Sequence, residues 1–216
     1  MTVKQNVRWV SLLLAAALLP QTGCVKSKNP LITPQKAQRD TRLLGAWRAE
    51  IPAADGKPRV VYCHIGGAGE KFPEGVMGAV TVQFEDDVPK QTATFFFAAA
   101  IDGAVYLNTM EFPKDKAPKE QAPEIVTGYT ITKCEVSDSE LTFHQIDRAA
   151  LKEAVESKKI QGEIAKDGSV TLTAPTDDLV RFFKENGEKI FSGEKVVFKR
   201  IETKHSEAAA DDRKPK

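Results

Sequence analysis

Thr92-Ala-Thr-Phe-Phe-Phe-Ala-Ala-Ala-Ile101, Asp102-Gly103-Ala104 and Val105-Tyr-Leu-Asn-Thr-Met110 make the most informative stretch of this chain. Two runs rich in aromatic and β-branched residues flank an Asp-Gly dipeptide, which supplies the positive φ angles of a tight hairpin. Lys166-Asp167-Gly168-Ser169 repeats the signal late in the chain. Tight hairpins imply antiparallel neighbours.

Working outward, alternation and β-branched content predict further strands over Leu43–Ile51, Arg59–Ile65, Ala79–Glu85, Gly128–Val136, Glu140–Ile146, Lys159–Ile164, Val170–Thr173 and Lys195–Ile201. Asp55-Gly56 and Ser137-Asp138-Ser139 separate neighbouring strands. Residues 111–126 read as a long Pro/Lys/Glu loop. Two short helices interrupt the strands. Asp147 can cap Arg148–Ser157, and Thr176 can cap Asp177–Glu185, with Asn186-Gly187 as the stop. The expected fold class is α+β and β-rich: an antiparallel sheet or small β-barrel with two short helices late in the chain.

The 216 residues carry 31 basic and 30 acidic side chains, a net charge of +1 that argues against a nucleic-acid reader. The N-terminus has its own logic. Lys4 and Arg8 precede the apolar run Val10–Leu19. As a helix that run reaches about 15 Å, half the hydrocarbon core, which suits an export signal and not a stable span. Residues 1–23 are therefore expected to be removed. The stretch Leu18-Leu19-Pro20-Gln21-Thr22-Gly23-Cys24 resembles the lipobox of bacterial lipoproteins, although Gln21 stands where that family usually has an apolar residue. The resemblance implies that Cys24 is acylated and becomes the N-terminus, anchoring the protein in the cell envelope. Val25 rather than Asp after the cysteine would, in Gram-negative relatives, send it to the outer membrane, facing the periplasm. Residues 24–41 then read as the lipidated cysteine and a flexible polar tether, 42–202 as one domain, and 203–216 as a loose tail.

Gly45-Ala46-Trp47 opens the first predicted strand of the domain and Val196–Ile201 forms the last. This is similar to the lipocalin-like small barrels, in which a Gly-x-Trp packs at the barrel base beneath an arginine from the final strand. The resemblance implies a Trp47–Arg200 pair, held by cation–π attraction and sealing one end. A barrel of that kind holding an apolar or amphipathic ligand would be lined by Phe95, Phe97, Tyr106 and Trp47.

Cys63 and Cys134 both fall in strands of an exported protein, so a disulfide between them is the expectation, with two buried thiols as the alternative. A metal site through His64 and His144 is disfavoured, because Cys63 and His64 are adjacent and point to opposite strand faces. Neither Gly-x-Ser-x-Gly nor Cys-x-x-Cys occurs, Gly66-Gly67-Ala68-Gly69 lacks a following Lys-Ser/Thr, and Glu85-Asp86-Asp87 reads as a solvated turn. No catalytic residue, metal or cofactor is assigned. Were the protein an enzyme, Tyr62, His64 and His144 would be the first residues to test. The functional expectation is a non-catalytic envelope lipoprotein binding a small apolar ligand or an envelope protein partner. The alternative is an accessory protein with a filled core, acting through protein–protein contacts alone.

Overall fold

A computed structural model describes residues 25–52, 58–85, 88–113 and 122–202. The signal segment, Cys24, the Asp55-Gly56 and Asp86-Asp87 turns, the middle of the 111–126 loop and the 203–216 tail lie outside the described residues.

The strands are β1 (Val25–Ser27), β2 (Gly45–Ile51), β3 (Arg59–Gly67), β4 (Met77–Glu85), β5 (Val88–Ile101), β6 (Ala104–Glu111), β7 (Gly128–Val136), β8 (Glu140–His144), β9 (Gly162–Ile164), β10 (Val170–Leu172) and β11 (Lys195–Arg200). The helices are α1 (Arg148–Glu156) and α2 (Thr176–Ile190). Eight strands close into an antiparallel barrel in the order β2-β3-β4-β5-β6-β7-β8-β11, with β11 paired back to β2. Of the two architectures expected, the closed barrel is the one formed. The Asp102-Gly103 hairpin behaves as its chemistry requires, with φ angles of 52° and 84° at the two turn residues.

β7 is the hinge of the architecture. One edge pairs with β6 from Gly128 to Cys134, while the other is shared between β8 and β1. β1 continues into a small outward extension, pairing parallel with β10, which pairs antiparallel with β9. The extension and both helices cover the outside of β5, β6 and β7. Ala99, Ile101, Tyr106 and Ile131 face outward into this layer, against Leu151, Leu172, Leu179, Phe182, Phe183 and Phe191.

The first strand corrects the tether expectation. Val25 is fully buried, Leu31 and Ala37 are buried, and the Leu31 N–H donates to Asn108 Oδ1 at 2.8 Å. Residues 25–41 are thus a packed part of the domain. Three residues with a lysine in the middle give too little periodicity to register as a strand. Their stability comes from partners more than 100 residues away, not from local propensity.

Both helices form where expected. Asp147 caps α1 by accepting from the Ala150 N–H at 3.0 Å. At α2 the details differ. Pro175 occupies the capping position, and the Thr176 hydroxyl donates instead to the Pro30 carbonyl at 2.8 Å. The helix runs through Asn186-Gly187 to Ile190, because Ile190 and Phe191 are buried in the outer layer and reward another turn. Gly187 is there for packing: a Cβ at that position would sit 2.3 Å from the Tyr106 hydroxyl oxygen.

Candidate functional site

The barrel base is built by residues from both ends of the domain. A 3-10 turn at Thr41–Leu43 crosses beneath the strands and presents its carbonyls inward. The Trp47 indole N–H donates to Leu43 O at 3.0 Å, and the Arg200 guanidinium carbon lies 4.1 Å from the Trp47 ring centroid. Arg200 also donates to Leu44 O and Arg42 O at 2.6 Å, and to Asp138 O. A planar fork serves several carbonyls while its face rests on the indole, which an ammonium could not do. Gly45 makes room for it: its φ is +125°, and a Cβ would lie 2.6 Å from Arg200 Nη1. Asp40 caps the 3-10 turn, and its bond with Arg42 holds its carboxyl below the usual range. Trp47 and Arg200 therefore meet as a base-sealing pair.

Above the base the lumen is filled. Cross-strand pairing turns Ala49, Val61, Ile65, Met77, Phe96, Leu107, Leu141 and Phe198 to the same side as Trp47, and they form one buried cluster. Other inward positions are polar, buried at Thr81 and half-buried at Thr92, Thr109 and Thr130. Thr81 faces Thr92 across β4 and β5, and Thr109 faces Thr130 across β6 and β7. The Thr130 hydroxyl donates to Glu111 at 2.6 Å.

The expected cavity lining is not brought together. Phe95, Phe97 and Tyr106 lie on the outside of the barrel, since Phe96 pairs with Met77 on the inner face and its neighbours alternate away. Phe95 stacks on Phe72 at 4.3 Å, and Phe97 meets Tyr129 edge-on at 6.0 Å. Tyr106 packs on Phe183 at 5.5 Å under α2. Three consecutive phenylalanines carry no parity, so the sequence could not say which one faced the lumen. Burial and the nearby Glu188 charge push the Tyr106 hydroxyl up to about 12.

The disulfide expectation is also corrected: Cys63 and Cys134 are free thiols. They belong to β3 and β7, four strands apart in the eight-stranded ring. Such a barrel is about 15 Å across, roughly twice the Cα separation a disulfide can span. Burial pushes both thiols up to about 12. Tyr62, His64 and His144 do not converge either. Tyr62 and His64 point outward from β3, whereas His144 is buried on β8, three strands away. Among the described residues no group of three or more His, Cys, Asp or Glu side chains is placed to hold a metal ion.

Three exterior features escaped the sequence reading. Beneath α2, buried Lys133 pairs with Glu188, and His144 Nε2 lies 2.8 Å from Glu135 Oε1, near enough for an ion pair but off the line of a hydrogen bond. On the far side, the outer face of β11, β2, β3 and β4 carries no helix among the described residues. Tyr62 (41% exposed), Phe84 (50%) and Val197 (41%) project from it, and half-buried Val60, Val80 and Val82 lie between. Tyr62 and Val82 are directly paired, so the β3 and β4 side chains form a continuous apolar surface, with Val197 set apart from it on β11, across Arg48 and Glu50 of β2. Arg48 and Glu50 edge it with an ion pair at 2.6 Å. A groove of about 470 Å³ lies outside the barrel, where Lys158, Ile160 and Ala174 meet Arg181, Phe182 and Asn186 of α2. No helix among the described residues is long and apolar enough to cross a membrane.

The fold and its base pair define a closed β-barrel with an α/β layer on one flank. No protein-family model, curated protein or solved structure significantly matches the chain.

Proposed function

We propose that this protein is an exported, lipid-anchored envelope lipoprotein, non-catalytic, whose lipocalin-like barrel is filled by its own side chains and acts by contact with an envelope protein partner. The observation that carries this reading is the contrast between the two sides of the barrel wall. Inside, Trp47, Met77, Phe96 and Leu141 are buried against one another in one apolar cluster, on the face a hollow barrel would line with its ligand. Outside, Tyr62, Val82 and Phe84 stand in an apolar surface rimmed by charge, the anatomy of a partner-binding patch. Aromatic residues such as Tyr62 and Phe84 are the kind that anchor such contacts.

The test is native against denaturing mass spectrometry of the protein extracted from an exporting host in mild detergent. No small-molecule increment is expected. Tyr62→Lys and Phe84→Lys should dissociate the partner that co-purifies with the parent protein, while leaving the unfolding free energy within about 0.5 kcal/mol, as for ordinary surface changes. A discrete increment below about 1 kDa, a mass typical of drug-sized ligands, would overturn the filled-barrel reading. It would favour a second one, a small polar ligand held among the half-buried Thr92, Thr94, Thr109 and Thr130.

A further inference from the structure

We propose that the barrel seats directly on the bilayer, along the edge formed by the start of β1 and the β9–β10 turn, with its bare apolar flank turned away from the membrane. This rests on the lipid-anchored reading above and adds the orientation that reading lacks. Cys24 is one peptide bond from Val25, so the two Cα atoms are about 3.8 Å apart. Val25 is already fully buried and pairs with Ile131, Lys26 with Thr171, and the Lys28 N–H donates to Leu172 O at 2.8 Å. Each tether residue would add at most about 3.6 Å of reach, and here there is none to pay out. An acylated Cys24 would hold the domain by a strand hydrogen-bonded on both edges.

The register says which side faces the lipid. β1 and β10 run parallel, so the beginning of β1 lies beside the residues that precede Val170. Those are the turn Ala165–Ser169, closed by Ala165 N–H to Ser169 O and Gly168 N–H to Ala165 O, both 2.9 Å. Exposed Lys26 and Lys166 stand at this edge with Asp167 between them in charge, a balance that does not repel anionic headgroups. β7, which carries β1, is four strands from β3 in the ring. Seating on the β1 edge therefore puts Tyr62 of β3 on the opposite wall, a barrel diameter of about 15 Å farther from the lipid.

The experiment uses the full chain, processed in an exporting host and reconstituted into vesicles of phosphatidylethanolamine and phosphatidylglycerol. Lys166→Cys and His64→Cys variants, made in a Cys63→Ala background because Cys134 is buried but Cys63 only half-buried, carry an environment-sensitive fluorophore, and doxyl-labelled lipid serves as the quencher. The label at 166 should lose most of its emission and the label at 64 should keep it. Inserting a Gly/Ser linker of about twelve residues between Cys24 and Val25 should abolish the difference, because such a linker reaches roughly 20 Å as a coil. Equal quenching at both sites in the parent chain overturns the seat, as does a difference that survives the linker. Intact mass of each sample separates the two readings. Acyl mass present with equal quenching refutes the seat alone, whereas no acyl mass refutes the lipoprotein reading and the seat with it.

Discussion

Gly187→Ala is expected to change sign with its neighbour. In an ordinary helix interior the substitution stabilises by about 1 kcal/mol, since alanine loses less backbone freedom than glycine. Here the added methyl would stand 2.3 Å from the Tyr106 hydroxyl oxygen and 3.5 Å from the ring carbon that bears it. The first distance is a collision; the second is ordinary contact. Tyr106 is wedged between Phe183 and Phe191, with centroids at 5.5 and 5.8 Å, so it cannot swing aside without disturbing the whole layer. Overpacking of that kind costs about 3 kcal/mol at the upper end of its range, and the net effect is a loss of about 2 kcal/mol. In a Tyr106→Phe background the colliding atom is gone, and the same substitution should stabilise by up to about 1 kcal/mol. The coupling is then about 3 kcal/mol, large for a neighbouring pair. Urea unfolding of the four proteins, followed by Trp47 fluorescence and far-ultraviolet dichroism, measures it. Equal effects of Gly187→Ala in both backgrounds would refute the argument that this glycine exists for the tyrosine.

Other expectations follow from the base, the thiols and the charged layer. Arg200→Ala should destabilise by about 2–3 kcal/mol, through lost cation–π contact and lost carbonyl bonds, and red-shift Trp47 emission; Arg200→Lys should recover little of it, and full recovery would show that charge alone suffices. With both thiols at about 12, only about one in 10⁴ is ionised at pH 8, so Ellman's reagent should react with Cys63 and Cys134 far more slowly in the native protein than in urea. The denatured, unreduced mass should show no two-hydrogen deficit, and a deficit would contradict the barrel's strand order. Glu188 and Asp40 are held below the usual carboxylate range, by Lys133 and Arg42 respectively. A lowered folded pKa means stability that is present above the unfolded value and lost as pH falls through the folded one. The urea midpoint should therefore fall as pH drops below about 4, and Glu188→Gln should flatten that fall; an unchanged slope would remove the Lys133 pair from the account.

What the sequence discloses here depends on whether a residue's role is local. Asp102-Gly103 is a hairpin because of its own backbone preferences, and the Trp47–Arg200 contact is expected only because the two residues stand where a resemblance to lipocalin-like barrels would pair them. Phe95, Phe96 and Phe97 are not legible in the same way. Both faces of β5 are covered, one by the lumen and one by the exterior layer, so hydrophobicity cannot identify the inner face. β1 is opaque for a different reason: Val25-Lys26-Ser27 is a strand because β7 leaves an edge free where β8 departs, a fact recorded 100 residues later. Gly187 shows the same dependence. Asn-Gly stops helices by local preference, and a tertiary contact overrides it. The bare flank could not be read at all, because its residues alternate like those of any strand and become a surface only when the helices choose the other side.

The ring closure between β2 and β11 has a consequence for how the chain must acquire its shape. The bonds from Arg200 to Leu44 and Arg42 join residues separated by 156 and 158 positions, and Asn29 reaches Ala174 across 145. Contacts so distant along the chain require almost all of it to be present, and they place folding toward the slow end of the range for single domains. Until β11 arrives, β2 and β8 each present an unpaired edge, open to any other extended strand nearby. A chain cut short before Lys195 would keep both edges permanently, and its natural fate is to join copies of itself.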